Sequence, residues 1–248
     1  MARILVIEDN PVNMKLASLL LRNAGHTVLC AVDAESGLVQ VHADRPDLVL
    51  MDLQLPGMSG MEAAMLLKHD PVTAKLPIIA LTAMSADLEL RQLLCFDAYV
   101  AKPLRYQELY ATIDILLTGT DRPRTASVPP LHYTASTDAA VDVEVLKGLI
   151  GDDSAVVFEF LHTFQVGAAA IALELRIACV NHQPTQVGRQ AHKLKSSAQT
   201  AGALALGKLC AEMESAGRAG DSEALMALLP AFECELLAVN RYLDSVLA

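Results

Sequence analysis

Three short apolar runs in this chain end on charge. Ile4-Leu5-Val6-Ile7 meets Glu8-Asp9, Leu48-Val49-Leu50-Met51 meets Asp52, and Tyr99-Val100-Ala101 meets Lys102-Pro103. A strand without polar alternation is apolar on both faces, and such strands belong inside a parallel sheet covered by helices. Open sheets of this kind bind ligands beyond the carboxyl ends of their strands. The runs therefore gather three carboxylates and one ammonium at one sheet edge. Crowded anions repel one another unless a cation joins them, and an all-oxygen donor set suits Mg²⁺.

The surrounding pattern extends this reading. Strands are expected at Arg3–Ile7, Thr27–Ala31, Leu48–Asp52, Ile78–Thr82 and Ala98–Ala101. Helices are expected over 13–23, 34–43, 60–69, 85–95 and 104–117. Parallel neighbours need helical crossovers, so five such units predict an α/β doubly wound five-stranded parallel sheet over residues 1–118. Residues 119–140 hold Pro123, Pro129 and Pro130 among many Ser and Thr, with no apolar period, which predicts a flexible linker. From 141 to 248 the period is helical throughout. Helices are expected over 142–150, from a cap at Asp152 or Asp153 to about Asn181, from Pro184 to near Gly202, and over 204–219 and 222–247. Long amphipathic helices joined by short loops predict an all-α antiparallel four-helix bundle.

Composition narrows the function classes. A chain of 248 residues that is 53% hydrophobic and 19% charged has material for two packed cores. The net charge is −10, with 9 basic against 14 acidic side chains in 1–119 and 8 against 13 in 141–248. Neither half is basic, which argues against nucleic acid and against anionic membrane as partners. Five cysteines without a CxxC pair read as reduced thiols of a cytoplasmic protein. The amino terminus meets acid too soon for a signal peptide. The most apolar stretch, Ala168 to Val180, is broken by Glu174 and Arg176, so no membrane span is expected.

Glu8-Asp9 after the first strand, Asp52 in MDLQLPGMSG after the third, Thr82-Ala83 after the fourth and Lys102-Pro103 after the fifth together resemble the response-regulator receiver domain of two-component signalling. The resemblance spans 1–118. It implies that Asp52 accepts a phosphoryl group and that Glu8, Asp9, Asp52 and the backbone carbonyl of Gln54 hold Mg²⁺. It further implies that Lys102 and Thr82 contact phosphoryl oxygens, that Thr82 and Tyr99 form the switch, and that the Lys102–Pro103 bond is cis. The family often has Gly shortly before the fifth strand, where this chain has Leu94-Cys95-Phe96. Gln54 and Met84 are expected to flank the reacting atoms.

Of seven histidines, six have no recognisable partners in sequence, and no HxxxH or HExxH spacing points to a metal. His192 differs. Val187, Ala191, Leu194 and Ala198 follow the helical period, which turns Gly188, His192, Lys195, Ser196 and Gln199 away from that apolar face. Small Gly188 and Ser196 are expected to let a partner approach, and Arg189, Lys193 and Lys195 to attract an acidic one. A neutral imidazole nitrogen can attack an acyl phosphate. AHKLKSSA followed by Gly202-Ala203 and then LCAEMESAGRAGD resembles the histidine phosphotransfer (HPt) domain over 141–248. The resemblance makes His192 a phosphoacceptor and donor. The residues at 188, 189, 193, 195, 196 and 199 would be its docking face.

Together these resemblances imply a phosphorelay protein rather than an enzyme with its own ATP site. Its partners would be a sensor histidine kinase, receiver domains of other response regulators, and its own receiver meeting its own HPt domain. A second reading makes the receiver a phosphorylation-controlled docking switch and His192 a phosphate sink. A third, a haloacid-dehalogenase-like Mg²⁺ phosphatase, wants a second Asp two residues after Asp52, where this chain has Gln54.

Overall fold

The computed structural model describes residues 1–82, 95–118 and 140–248, and the chain divides into two compact units, 1–131 and 132–248. The expected linker (apart from Ala140), Ala83, Met84 and almost all of the expected helix at 85–95 lie outside the described residues.

In the first unit, strands β1 (Arg3–Ile7), β2 (Thr27–Ala31), β3 (Leu48–Asp52), β4 (Ile78–Thr82) and β5 (Ala98–Ala101) form one parallel sheet in the order β2-β1-β3-β4-β5. This is the doubly wound order in which the chain leaves β1 for one side and later returns to its other side. β3 and β4 are buried at every position, and β1 at all but its first. Edge strand β2 is only partly covered. Register places Ile7 beside both Ala31 and Met51, and Asp52 beside Leu81. The ends of β1 and β3 are thereby aligned, and the acids that follow them meet.

Local sequence fixes the helices around the sheet. Helix α1 (Pro11–Asn23) begins two residues earlier than its apolar period predicts. Asn10 caps it through an acceptor bond from Val12 N, and Pro11 occupies the first turn, where its missing N–H costs nothing. Helix α2 spans Ala34–Asp44, capped by Asp33. Helix α3 (Gly60–His69) opens with a capping box between Ser59 and Glu62. A Cβ on Gly60 would lie 1.9 Å from the Asp52 carbonyl oxygen, so only glycine lets α3 start this close to the site strand. Helix α4 is Tyr106–Thr118, and the Tyr110 hydroxyl donates to the Leu20 carbonyl of α1. Cys95 and Phe96 are half-buried against the core between the sheet and α2–α3.

The second unit consists of α5 (Val143–Ile150), α6 (Ser154–Val180), α7 (Pro184–Ala201), α8 (Leu204–Ala219) and α9 (Ser222–Leu247). Asp142 caps α5, Asp153 caps α6 and Asp221 caps α9. Neighbours in the bundle are α6 and α7, α7 and α8, α8 and α9, and α9 and α6, which sets α6 diagonally across from α8. Phe160, Phe164 and Phe232 are the largest side chains buried at its centre. By length and composition α6 could cross a membrane, which corrects the expectation of no such stretch. Glu174 and Arg176 dilute it too little. Its inner side packs within the bundle, as a core helix does.

Helices α7 and α8 meet at Gly188 and Gly217, where a Cβ on Gly217 would fall 2.6 Å from Gly188 Cα. This corrects one expectation for the docking face. Gly188 and Ser196 are buried. The small side at 188 serves the approach of α8, not that of an external partner. Apolar periodicity locates one face of α7 but does not reveal that a neighbouring helix covers another.

Candidate functional site

At the carboxyl edge of the sheet, Lys102 Nζ lies 2.6 Å from Glu8 Oε2 and 2.7 Å from Asp52 Oδ2. All three side chains are almost fully buried. The other Glu8 oxygen accepts from the Asn10 backbone N–H and from Asn13 Nδ2, each at 3.3 Å. Asp52 Oδ1 accepts from Gln54 N at 3.1 Å. The first turn of α1 and the β3–α3 loop thus aim these carboxylates. Lys102 leaves β5 through an N–H bond to Thr82 O at 2.7 Å and precedes a cis bond to Pro103, as expected. Thr82 ends β4 nearly buried, and Tyr99 is half-buried on β5.

One oxygen each from Glu8, Asp9 and Asp52 lies within 4.8 Å of the others. Three carboxylates face one ammonium, so the cluster retains excess negative charge where water is scarce. Burial pushes the Glu8 carboxyl up to about 7 against the pull of Lys102. For Lys102, burial acts downward, but Glu8 and Asp52 outweigh it and hold the ammonium above its ordinary range. A compact all-oxygen donor set with surplus anionic charge fits a hard divalent cation.

The second cluster lies between α7 and α8. His192 Nδ1 is 2.9 Å from Glu214 Oε1, and Lys195 Nζ is 2.6 Å from Glu214 Oε2. Arg218, one turn along α8, also donates to Glu214 Oε1. The Gly188–Gly217 contact holds the two helices close enough for these bonds. Burial works to raise the Glu214 carboxyl, but the bonds from His192 and Lys195 prevail and bring it down to about 2. An ionised carboxylate only accepts, so Nδ1 carries the hydrogen and a neutral ring keeps its lone pair on Nε2. The His192 side chain is recessed, 14% exposed, rather than projecting outward as the period predicts. Arg189 is exposed, while Lys193, Lys195 and Gln199 are half-buried.

Sequence reasoning missed Glu214, Arg218, Asn10 and Asn13. For Glu214 a signal existed. Leu206, Gly207, Cys210, Met213 and Gly217 form the buried side of α8, and an acid on that side requires a cationic partner. Asn13 is likewise a polar residue on the buried side of α1.

Both units resemble known domains. Residues 4–114 match the response regulator receiver domain and residues 159–247 the Hpt domain. Protein PilH of Pseudomonas aeruginosa is 33% identical over 123 residues, covering 48% of this chain and all of PilH. The polar-differentiation response regulator DivK of Brucella anthropi is 38% identical over 113 residues, covering 44% of this chain and 91% of DivK. Among solved structures, the magnesium-bound receiver domain of a P. aeruginosa sensor histidine kinase shares 30% identity. It covers 47% of this chain and 98% of its own, with a TM-score of 0.43. The chain belongs to the response regulator receiver family and carries an Hpt domain behind its receiver domain. That pairing makes it a phosphorelay signalling protein.

Proposed function

We infer that Asp52 is the phosphoryl acceptor of the first unit and His192 that of the second. The observation that carries this reading is the placement of the Asp52 carboxylate against Lys102 and within reach of Asp9 and Glu8, at the mouth of the sheet. An Asp52 oxygen attacks the phosphorus of a phosphohistidine on a sensor histidine kinase. The O–P bond forms, the P–N bond breaks, and its electron pair stays on the freed nitrogen, so that a ring protonated on its other nitrogen leaves as neutral imidazole. Lys102 and the Thr82 hydroxyl meet the charge on the phosphoryl oxygens. Tyr99 follows Thr82 as the switch. Bound at Glu8, Asp9, Asp52 and the Gln54 carbonyl, Mg²⁺ would neutralise phosphoryl oxygen charge.

At His192 the Nε2 lone pair attacks the phosphorus of a receiver acyl phosphate, its own or that of another response regulator. The N–P bond forms and the aspartate leaves as a carboxylate. Glu214 holds the Nδ1 hydrogen throughout, which compensates the positive charge that the ring acquires. Lys195 draws phosphoryl oxygens inward, and Arg189, Lys193 and Gln199 form the accessible part of the docking face. The chain works in the cytoplasm as residues 1–118 and 141–248 joined by a linker, and takes its phosphoryl groups from partners rather than from ATP.

The test is labelling with acetyl phosphate and Mg²⁺. A base-labile acyl phosphate forms on the wild-type chain and is lost in Asp52→Asn. An undiminished base-labile label in Asp52→Asn overturns the assignment.

A further inference from the structure

Asn13 lies in the first turn of α1, on the buried side that continues through Leu16, Ala17 and Leu20. It is 6% exposed, and a buried amide is unfavourable unless it is bonded. Packing alone would be served by leucine here, and the cap of α1 is already supplied by Asn10. The Asn13 amide is aimed instead at Glu8. Glu8 Oε1 accepts from Asn13 Nδ2 and from the Asn10 backbone N–H, each at 3.3 Å.

An ionised carboxylate has about four lone-pair sites, two on each oxygen. The two donors at Glu8 Oε1 fill both sites there. Lys102 Nζ, at 2.6 Å, takes one of the sites on Oε2. Glu8 therefore has at most one site left for a cation, and it lies on Oε2. To grip a cation with both oxygens, Glu8 would have to lose a donor at Oε1. The Asn10 donor belongs to the backbone, so Asn13 is the one of the two that a substitution removes.

The number of oxygens a carboxylate can offer bears differently on two hard cations. Mg²⁺ demands a small octahedron of about six ligands, which one-oxygen carboxylates fill well, whereas Ca²⁺ takes up to about eight and readily uses a carboxylate through both oxygens. We propose that Asn13 is a positioning residue that sets the cation preference of the acidic cluster. By engaging Glu8 Oε1 it confines Glu8 to one-oxygen binding, which favours Mg²⁺ over Ca²⁺. The proposal rests on the reading of Glu8, Asp9 and Asp52 as the Mg²⁺ site and adds the residue that makes that site selective.

The test is calorimetric titration of the full-length chain with Mg²⁺ and, separately, with Ca²⁺. Each variant is judged by the ratio of its two dissociation constants. Asn13→Leu keeps the bulk of the side chain without its donor and should move the ratio toward Ca²⁺ by about tenfold, the size of one hydrogen bond to a charged group. Asn13→Ala removes the donor without adding bulk and should move the ratio in the same direction, which keeps the test open should Asn13→Leu fail to fold. A purely structural disturbance weakens both ions alike and leaves the ratio in place. A ratio equal to that of the wild type, or one moved toward Mg²⁺, overturns the proposal while the Mg²⁺ site stands. A wild-type chain that takes up neither ion at millimolar concentration overturns both.

Discussion

Glu214→Gln isolates the charge that organises the second site while keeping its shape. In the wild type the Glu214 side chain is 7% exposed and receives His192 at 2.9 Å and Lys195 at 2.6 Å. Hydrogen bonds to charged groups contribute about 1.5–3 kcal/mol each. Arg218 is 66% exposed, so its bond adds little. The amide keeps one acceptor of ordinary strength, and the net loss is about 2 kcal/mol of stability, visible as a lower urea midpoint at unchanged slope. Part of the same energy selects the ring tautomer. With the carboxylate gone, the preference for hydrogen on Nδ1 drops by about 1.5 kcal/mol, and phosphotransfer to Nε2 slows about tenfold. Quenched-flow transfer from a phosphorylated receiver measures the rate, and ¹⁵N spectra of the ring measure the tautomer. A folded Glu214→Gln chain that transfers at the wild-type rate would refute the assignment of Glu214 as the residue that orients His192.

Three further outcomes follow from named contacts. Glu214 titrates near 2 in the folded chain against 4.5 ordinarily, so its stabilisation is complete above pH 4.5 and is lost as pH falls toward 2. The stability gap of about 2 kcal/mol between wild type and Glu214→Gln should close over that window, as denaturation at stepped pH will reveal. Gly217→Val drives a side chain into the Gly188 backbone and should cost about 3 kcal/mol or more while separating His192 from Glu214. Melting temperature and transfer rate should fall together. Lys102→Met strips the cation from two buried carboxylates and should lower stability by about 2–3 kcal/mol in chelator, with millimolar Mg²⁺ restoring part of it. A melting curve insensitive to Mg²⁺ would argue against the acidic cluster as a metal site.

Much of the first unit was legible because its strands are short apolar runs bounded by charge or turn residues. Ile4–Ile7 and Leu48–Met51 read as buried strands, and the acids behind them mark the sheet edge. The start of α1 is written in Asn10-Pro11, a cap and a first-turn proline, rather than in the apolar period. The second unit was legible as helices but less so as a site. Period 3.6 gives the angle of His192 on α7, whereas its surroundings depend on which helix covers that angle. Gly188 shows the difficulty, since a small residue admits a partner protein or a neighbouring helix equally well, and here it admits Gly217. Glu214, 22 positions from His192, calls for a cation by its place on the buried side of α8, but nothing local says which one.

The most direct test of the relay follows label from acetyl phosphate and Mg²⁺ to an acid-labile, base-stable phosphohistidine at His192. Wild type should carry it. Asp52→Asn and His192→Gln alone should not, and mixing those two variants should restore it on the Asp52→Asn chain. Acid-labile label on His192 in Asp52→Asn, with no other receiver present, would contradict an aspartyl phosphate as its donor.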